Sequence, residues 1–478
     1  MVTDLRDLNL VKWNGPNDPE NPKSWPVKRK WMVVFCASFF TLISPVASTM
    51  VAPDLQRIGE DLGITNEIEL VLVLSIFVAA YALGPLIWAP LSEVYGRVII
   101  LQTSNLMFCL FNLGCGLART KDEIIAFRFF SGIGGSAPLS VVGGLLSDLF
   151  EPEGRGRAIS IYSLIPLLGP AIGPIAGGWI AERTSWRWIF HSTTIACGVI
   201  QVVGQLTLCE TYAPVLLDRK RARLMRETGN RELRTEYDGQ LVGGRNLSGK
   251  LRVALTRPFR LIITQPILQV LSVYVIYLYG TIYLVLSAFP SLWLTKYHQT
   301  AGMQSLNYIS LAVGFTIGSQ GCAPFLDRVY ADMKRRNAPD GGLGRPEFRL
   351  PIMIPGAVLV PLGLFIFSWT AEVPTHWIGP NIGAAIYSAG TIITFQCIQG
   401  YMIDSYGQYT ASAVAATTML RSLAGCGFPL FSPIMYDHLG YGKAGSVLAA
   451  CAIIIGWPGP LFLWLYGERL RARSKFTS

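Results

Sequence analysis

Charge is what this chain has least of. Asp, Glu, Lys and Arg make up 15% of its 478 residues, while hydrophobic residues make up 51%; an average globular chain carries roughly 25% charged residues. Length alone would suggest about two to four soluble domains, but so little charge cannot give that many cores a water-facing shell. Reactive clusters are missing as well. The four histidines, His191, His298, His376 and His438, are scattered without metal or triad spacing, which argues against a metal centre or a polytopic enzyme working at one membrane face. The nine cysteines (Cys36, Cys109, Cys115, Cys197, Cys209, Cys322, Cys397, Cys426 and Cys451) lie in or beside apolar runs, with no CxxC spacing. They read as small packing residues in spans, not as a disulfide framework. No cofactor is expected. The opening MVTDLRDLNLVKWNGPNDPENPKSWPVKRKW is polar and rich in turn formers, with no cleavable signal pattern, which leaves insertion to the first apolar run.

Long apolar runs are what the chain does have. Twelve occur, near 31–52, 68–90, 98–118, 123–148, 158–181, 188–209, 266–289, 305–326, 350–370, 377–402, 410–435 and 444–466. Each has roughly the 20 residues that cross a bilayer, so the chain reads as an all-α membrane protein. The polar gap 210–265 divides the runs six and six, giving an N-terminal segment 1–30, a bundle 31–209, a basic loop 210–265, a second bundle 266–466 and a tail 467–478. With both termini in the cytoplasm, 31 of the 40 Lys and Arg residues fall on that side and seven on the other, the asymmetry that sets orientation. Arg128 and Arg421 remain inside spans. The net charge of +10 then reflects topology and contact with an anionic leaflet. It does not mark a nucleic-acid surface, since the aromatic interleaving of RNA-binding modules is absent. The loop's DRKRARLMRETGNRELR reads as a solvated connector, with a regulatory or lipid-binding arm as the alternative. Asn246-Leu247-Ser248 matches a glycosylation acceptor but falls on the cytoplasmic side.

An internal repeat supports the six-and-six division. GPLIWAPLSEVYGR, with Gly84, Ala89, Pro90 and Glu93, is echoed by GSQGCAPFLDRVY, with Gly318, Ala323, Pro324 and Asp327, at one shared offset of 234 residues. Pro170 and Pro174 are echoed by Pro429 and Pro433. Two halves built on one plan are common among secondary transporters. In the first copy Pro90 is expected to end the span, with Glu93 and Arg97 placing opposite charges on a tight turn that works as a latch. Arg128 lies in an apolar helix, where an unpaired charge costs at least ~2.5–3.5 kcal/mol, so it should face a partner or a polar cavity. Asp148 closes the same helix within reach of Arg97, and Gly132, Gly135, Gly143 and Gly144 are small-residue contacts. In LLGPAIGPIAGG, Gly169, Gly173 and Gly177 recur every four residues and share one face. Pro170 and Pro174 bend the helix. The expected product is a kinked, closely packed seam that holds the two halves together.

These stretches carry a family resemblance. GPLIWAPLSEVYGR resembles the loop 2–3 signature of the major facilitator superfamily, Arg128 with Gly132 its span 4 arginine motif, and LLGPAIGPIAGG its span 5 antiporter motif. WNGPNDPENPKSWPVKRKW, RPFRLIITQPI, YGTIYLVLSAFP, YMIDSYGQYTASAVAATTMLRS, FPLFSPIMYDHLGYG and YGERLRARSKF extend the likeness to the fungal twelve-span drug:proton antiporters over nearly the whole chain. The resemblance implies two pseudo-symmetric six-helix bundles that export a toxin, drug or secondary metabolite against inward proton flow, by alternating access, as a monomer in the plasma membrane (or the vacuolar one). Its energy source would be the proton gradient, and its partners the lipid bilayer, protons and a small organic substrate.

Carried over by position, Glu93, Arg97 and Asp148, with Asp327 and Arg328 in the second copy, would form a cytoplasmic charge relay. Gly169, Pro170, Gly173, Pro174, Gly177 and Gly178 would form the antiporter motif. Departures are Glu93 where the superfamily usually has Asp, Val329 and Tyr330 where the second copy would carry Tyr and Gly, and His191 where relatives tend to carry an aromatic. Acids near membrane depth are few, which leaves Asp148 or Asp404 as proton carriers, Arg128 tuning the path and Arg421 as the partner of Asp404. Tyr274, Tyr277, Tyr279, Tyr283, Asn307, Gln396 and Gln399 are candidates to line the cavity, since aromatic walls with sparse amides suit a partly apolar organic molecule. The nearest rival reading is a proton-coupled importer of a polyamine or vitamin-like acid; a receptor without transport is another.

Overall fold

The computed structural model describes residues 9–15, 18–150, 158, 162, 168–237, 247–337, 345–373, 376–406, 409–472 and 474. Its membrane helices, in chain order, are α1 (Val27–Thr49), α2 (Glu67–Tyr95), α3 (Arg97–Leu117), α4 (Lys121–Leu149), α5 (Gly169–Arg183) and α6 (Arg187–Thr207) in the first half. The second half has α7 (Pro266–Thr295), α8 (Ile309–Asn337), α9 (Leu350–Glu372), α10 (Ile378–Tyr406), α11 (Thr410–Gly456) and α12 (Pro458–Ala472). Element α11 holds the eleventh crossing and the start of the twelfth, which α12 continues: Gly440, at φ 72° and ψ 169°, turns the chain between the two crossings. Elsewhere local chemistry sets the ends. Thr120 and Glu123 form a reciprocal capping box at the start of α4, and Asn66 caps α2 by accepting from the Ile68 amide at 2.9 Å, each satisfying amides the helix leaves open.

Nine stretches among the described residues are long and apolar enough to cross a membrane, one of them covering the last two crossings. The other two crossings are α5, of which 15 residues are described, and α8, several of whose side chains lie outside the described residues and which ends in Lys334, Arg335 and Arg336. That basic end extends α8 beyond the expected 305–326, because cations are favoured at a helix C-terminus. A second difference is at Pro90. Helix α2 passes through Pro85 and Pro90 and stops at Gly96, where φ is +106°. Inside a packed bundle the bond a proline removes is tolerated, whereas a left-handed backbone ends the helix outright.

Each half has its own core. In the first, α2 and α3 pack on α4, and α6 on α3, around residues such as Phe77, Leu101, Phe108 and Leu145. The second is built on α7 with α11 and α9 with α10, around Phe289, Trp293, Tyr308 and Phe367. Large apolar side chains that stay exposed, among them Leu110, Leu206, Ile317 and Ile454, lie on membrane helices and suit a lipid-facing surface. The halves meet along α2 and α11, where Ala82 and Leu86 pack against Met419, and again at one face through α5. We call the end carrying the chain termini the basic face and the other the opposite face.

The stretch 210–265 is more than a connector. It contains helices Ala213–Thr228 and Leu247–Thr264, and Arg234–Thr235 pairs in parallel with Leu10–Val11. The Lys220 ammonium donates to the Lys12 carbonyl, Asn14 Oδ1 and Asp18 Oδ2 at 3.0, 3.0 and 3.2 Å, in a pair almost closed to solvent. Burial pushes the Asp18 carboxyl up, but the amides of Asn14 and Glu20 and the Lys220 charge outweigh it and hold the group below the usual carboxylate range. The N-terminal segment is thus buttoned to the middle loop. Asn246 lies outside the described residues.

Candidate functional site

At the basic face of the first half, the Gly96 turn aims Arg97 into the bundle. Arg97 Nε lies 3.5 Å from Asp148 Oδ2, Nη1 donates to Ser92 Oγ at 2.7 Å, and the guanidinium carbon sits 4.6 Å over the Tyr212 ring. A side chain at Gly144 would strike that guanidinium at 2.8 Å. Glu93 stays exposed and has no ion pair among the described residues; Arg97 pairs with Asp148 instead. Glu210, which sequence reasoning missed, completes the cluster. Its carboxylate accepts from the amides of Arg97 (2.9 Å) and Val98 (3.2 Å) at the start of α3, and from those of Thr211 and Tyr212, each 3.0 Å away. A carboxylate at a helix N-terminus is favoured by both amides and dipole. The same carboxylate lies 2.3 Å from where a Gly96 side chain would begin.

The second half repeats the arrangement. Arg349 Nε is 2.5 Å from Asp404 Oδ2 and Nη2 3.4 Å from Oδ1, with the guanidinium 5.0 Å over Tyr330. The expected partner of Asp404, Arg421, is not its partner. Asp404 closes α10 at the basic face, while Arg421 lies eleven residues into α11, about 16 Å along a helix. Sequence position offers a signal that was overlooked: Arg349 follows Arg97 by 252 residues and Asp404 follows Asp148 by 256. Two further pairs brace this face, Arg345 with Glu468 at 2.9 Å and Arg471 with Glu347. The Asp327 side chain, like those of Ala323 and Pro324, lies outside the described residues, and Arg328 is exposed.

Within the membrane, Arg128 is fully buried and its donors are spent on main chain. Nε donates to the Val73 carbonyl at 3.0 Å, Nη1 to Ala47 at 2.9 Å, and Nη2 to Ser48 at 3.1 Å and Leu74 at 3.3 Å. Phe77 lies under the guanidinium at 4.7 Å. Ala47 and Ser48 belong to the last turn of α1, where open carbonyls favour a cation. Arg128 therefore ties α1, α2 and α4 together. Gly132 and Gly135 permit the approach, since a side chain would strike the Phe77 carbonyl at 2.4 Å or Ser44 Oγ at 2.3 Å.

Arg421 is different. Its guanidinium lies 5.0 Å from the Tyr279 ring and 5.1 Å from that of Phe395, and its Nε has no hydrogen-bond partner. Around it the halves touch: Gly425 packs against Tyr279 and Val78, and Cys426 Sγ is 3.7 Å from Ser75 Oγ. Tyr81 bonds to Ser44, and Tyr283, its ring tilted at 46° and 5.2 Å from that of Tyr279, reaches Ser48 of the first half. Hydroxyls from both halves thus gather between the two arginines.

The other expected cavity residues are spread out. Tyr277 donates to the Leu448 carbonyl at 2.6 Å, and Tyr274 is buried against Gly456, both inside the second half. Gln396 donates to Ser319 Oγ at 2.8 Å, and Gln399 is half-buried. Asn307 stands at the opposite face, donating to Gln299 Oε1 and accepting from Asn381 at 2.7 Å each. His191 packs on Gly116 and Trp188.

In α5, Gly169, Gly173 and Gly177 lie against Pro45, Val46, Thr49 and Met50 of α1, where added side chains would strike at 2.0–2.5 Å. The strip therefore joins α5 to its own half, with Pro170 in the first turn and Pro174 buried. Gly178, one residue on, meets the other half: a side chain there would hit Ser305 Oγ at 2.5 Å and the Ala301 carbonyl at 2.6 Å. Glu182 accepts from the Gly302 amide at 2.8 Å, and Gln304 donates to the Pro53 carbonyl at 3.2 Å. These contacts shut the opposite face. No cluster of metal-ligating side chains occurs among the described residues.

Comparison with known proteins gives this geometry a context. A family profile described as Major Facilitator Superfamily matches residues 37–429. The efflux pump vrtL of Penicillium aethiopicum is 47% identical over 99% of this chain and 92% of its own. The MFS-type transporter oryF of Aspergillus oryzae is 43% identical over 95% and 93%, and the efflux pump radE of Floropilus chiversii 40% identical over 98% and 86%. Among solved structures, the xylose transporter XylE from E. coli in a partially occluded inward open conformation has a TM-score of 0.64 at 14% identity, covering 92% of this chain and 98% of that one.

Proposed function

Since the chain belongs to the major facilitator superfamily, we propose that it exports a small organic compound, a secondary metabolite, toxin or drug, in exchange for protons. The basic face would be cytoplasmic, following the asymmetry of Lys and Arg, the membrane the plasma membrane, and the working unit a monomer. Transport in this reading is conformational, with no chemical reaction on the cargo. The observation that carries the direction is the likeness, over nearly the full chain, to proteins named efflux pumps.

The geometry supplies what alternating access needs. Two separately cored halves touch at mid-depth along α2 and α11, and one face is shut by a few side chain–backbone contacts around Gly178. The other face carries an arginine–aspartate pair in each half. A face held by so few contacts can open when the halves rock, and the pairs can break and re-form with it.

Cells lacking the gene and cells expressing it, loaded with candidate compounds, test the reading. Expression should lower retention, and a protonophore should restore it. Unchanged retention in both conditions, across a panel of metabolites and drugs, would sink export. Uptake of cargo into inside-out vesicles under an imposed inward-acidic gradient distinguishes export from the importer alternative.

A further inference from the structure

The two arginines inside the membrane are satisfied to opposite degrees. Arg128 has four carbonyl acceptors and no accessible surface. Arg421 has no hydrogen bond or ion pair among the described residues, a buried Nε without an acceptor, and a half-buried side chain. Its two rings steady the cation through their faces but do not neutralise it. Nearby acids are already engaged: Asp404 is held by Arg349, and Asp148 lies at the basic face of the other half beside Arg97. Tyr81 of α2, within electrostatic reach of Arg421, is a neutral hydroxyl, as is Ser75, which touches Cys426 on the same helix as Arg421. A fixed cation without a counter-charge, between the two halves of a transporter, asks for an anion from outside the chain.

We propose that Arg421 is an anion subsite and that the cargo is an organic anion, an aromatic carboxylate or phenolate. The inference rests on the transport reading and names its substrate class. The carboxylate would take the guanidinium donors as a two-pronged acceptor. Its ring system would lie among Tyr279, Tyr283 and Phe428, the last packed on Gly280. The Tyr81–Ser44 hydroxyl pair, one O–H of which is taken up between the two, offers one further donor without a competing negative charge. Among the described residues a cationic cargo finds no carboxylate beside Arg421.

The test uses the full-length protein in lipid nanodiscs and three probes of one shape: 2-naphthoate, its methyl ester and 2-(aminomethyl)naphthalene, with sodium chloride against sodium gluconate as the inorganic arm. The wild type should bind the naphthoate about tenfold or more tightly than the ester, the scale of one charge-assisted hydrogen bond, and the amine more weakly still. Arg421→Gln should erase the preference for acid over ester, and Arg421→Lys, which keeps the charge and loses the fork, should narrow it. If the glutamine variant does not fold, narrowing in the lysine variant decides the point. Equal binding of acid and ester, a preference for the amine, or a preference untouched by either substitution overturns the proposal. Chloride that competes with naphthoate only in the wild type supports the site; protection by chloride without any naphthoate binding overturns an organic cargo. Gradient-driven efflux of a cationic dye from the same protein, with no naphthoate binding, would remove the anion subsite and leave the exporter reading standing.

Discussion

The two halves place an arginine and an aspartate at matching positions of the basic face and use them differently. In the first half Arg97 divides itself among Asp148, Ser92 and Tyr212, and the ion pair is long at 3.5 Å. The nearby Glu210 is fully occupied by four backbone amides. In the second half Arg349 closes on Asp404 with two contacts, the shorter 2.5 Å, and Glu347 and Glu468 beside it each have an arginine. A bidentate guanidinium–carboxylate pair is the stronger geometry. One half grips its aspartate with two contacts and is built to hold; the other leaves Asp148, the part-buried acid beside Arg97, loosely attended and able to change partners.

The largest loss of stability should follow Asp404→Asn. Breaking a buried pair costs ~3–5 kcal/mol, and the exposure of Arg349 and Asp404, 21% and 23%, reduces that to about 2 kcal/mol. Thermal unfolding of the purified protein should shift down by several degrees, and Arg349→Ala should shift it about as far. A double variant should fall little further, since removing both partners leaves no orphaned charge. Unfolding unchanged by either single substitution would mean the second half is no more tightly held than the first.

A smaller effect, ~1 kcal/mol, is expected for Glu210→Gln. The amide keeps an acceptor oxygen but loses the charge that suits the α3 N-terminus, and its NH2 group, in the place of Oε2, faces the Val98 amide while Oε1 still accepts from Arg97. The check is hydrogen exchange at those amides, which should quicken in the variant while amides in α9 do not. Equal protection in wild type and variant would remove Glu210 from the latch.

How much of this was legible beforehand depended on whether the cause was local. The crossings were readable because burial in lipid is a property of about 20 consecutive residues, and Arg128 stood out because a charge in such a run has to be accounted for. Its partners did not stand out, being main-chain carbonyls that any residue provides. Asp404 and Arg421 misled by proximity in sequence: a hairpin places neighbours in sequence at different depths, and Arg349, 55 residues from Asp404, lies at the right one. Glu210 was hidden because an N-terminal cap delivered from the far end of a bundle leaves no pattern within its own helix. The glycines of α5 announced close packing, but spacing alone did not say that three would face α1 and only Gly178 the other half.

The smallest effect on stability should come from Asp148→Asn, and it is the most telling. Although its side chains are only 12% and 18% exposed, the Arg97–Asp148 pair is long at 3.5 Å, and Arg97 keeps Ser92 and Tyr212 when the acid is neutralised. The loss should be about 0.5–1 kcal/mol, so unfolding should stay within a degree or two of wild type. Transport should respond otherwise. If Asp148 is the acid that takes and releases the proton, the neutral variant should keep exchanging cargo down its own gradient and lose acceleration by an imposed pH gradient. Asp404→Asn, by contrast, should weaken both modes together by loosening the fold. Counterflow and gradient-driven uptake, measured on the same vesicles, separate the two behaviours. Should Asp148→Asn retain full pH-driven transport, the loosely held acid would be only a latch, and the division between a holding half and a carrying half would fail.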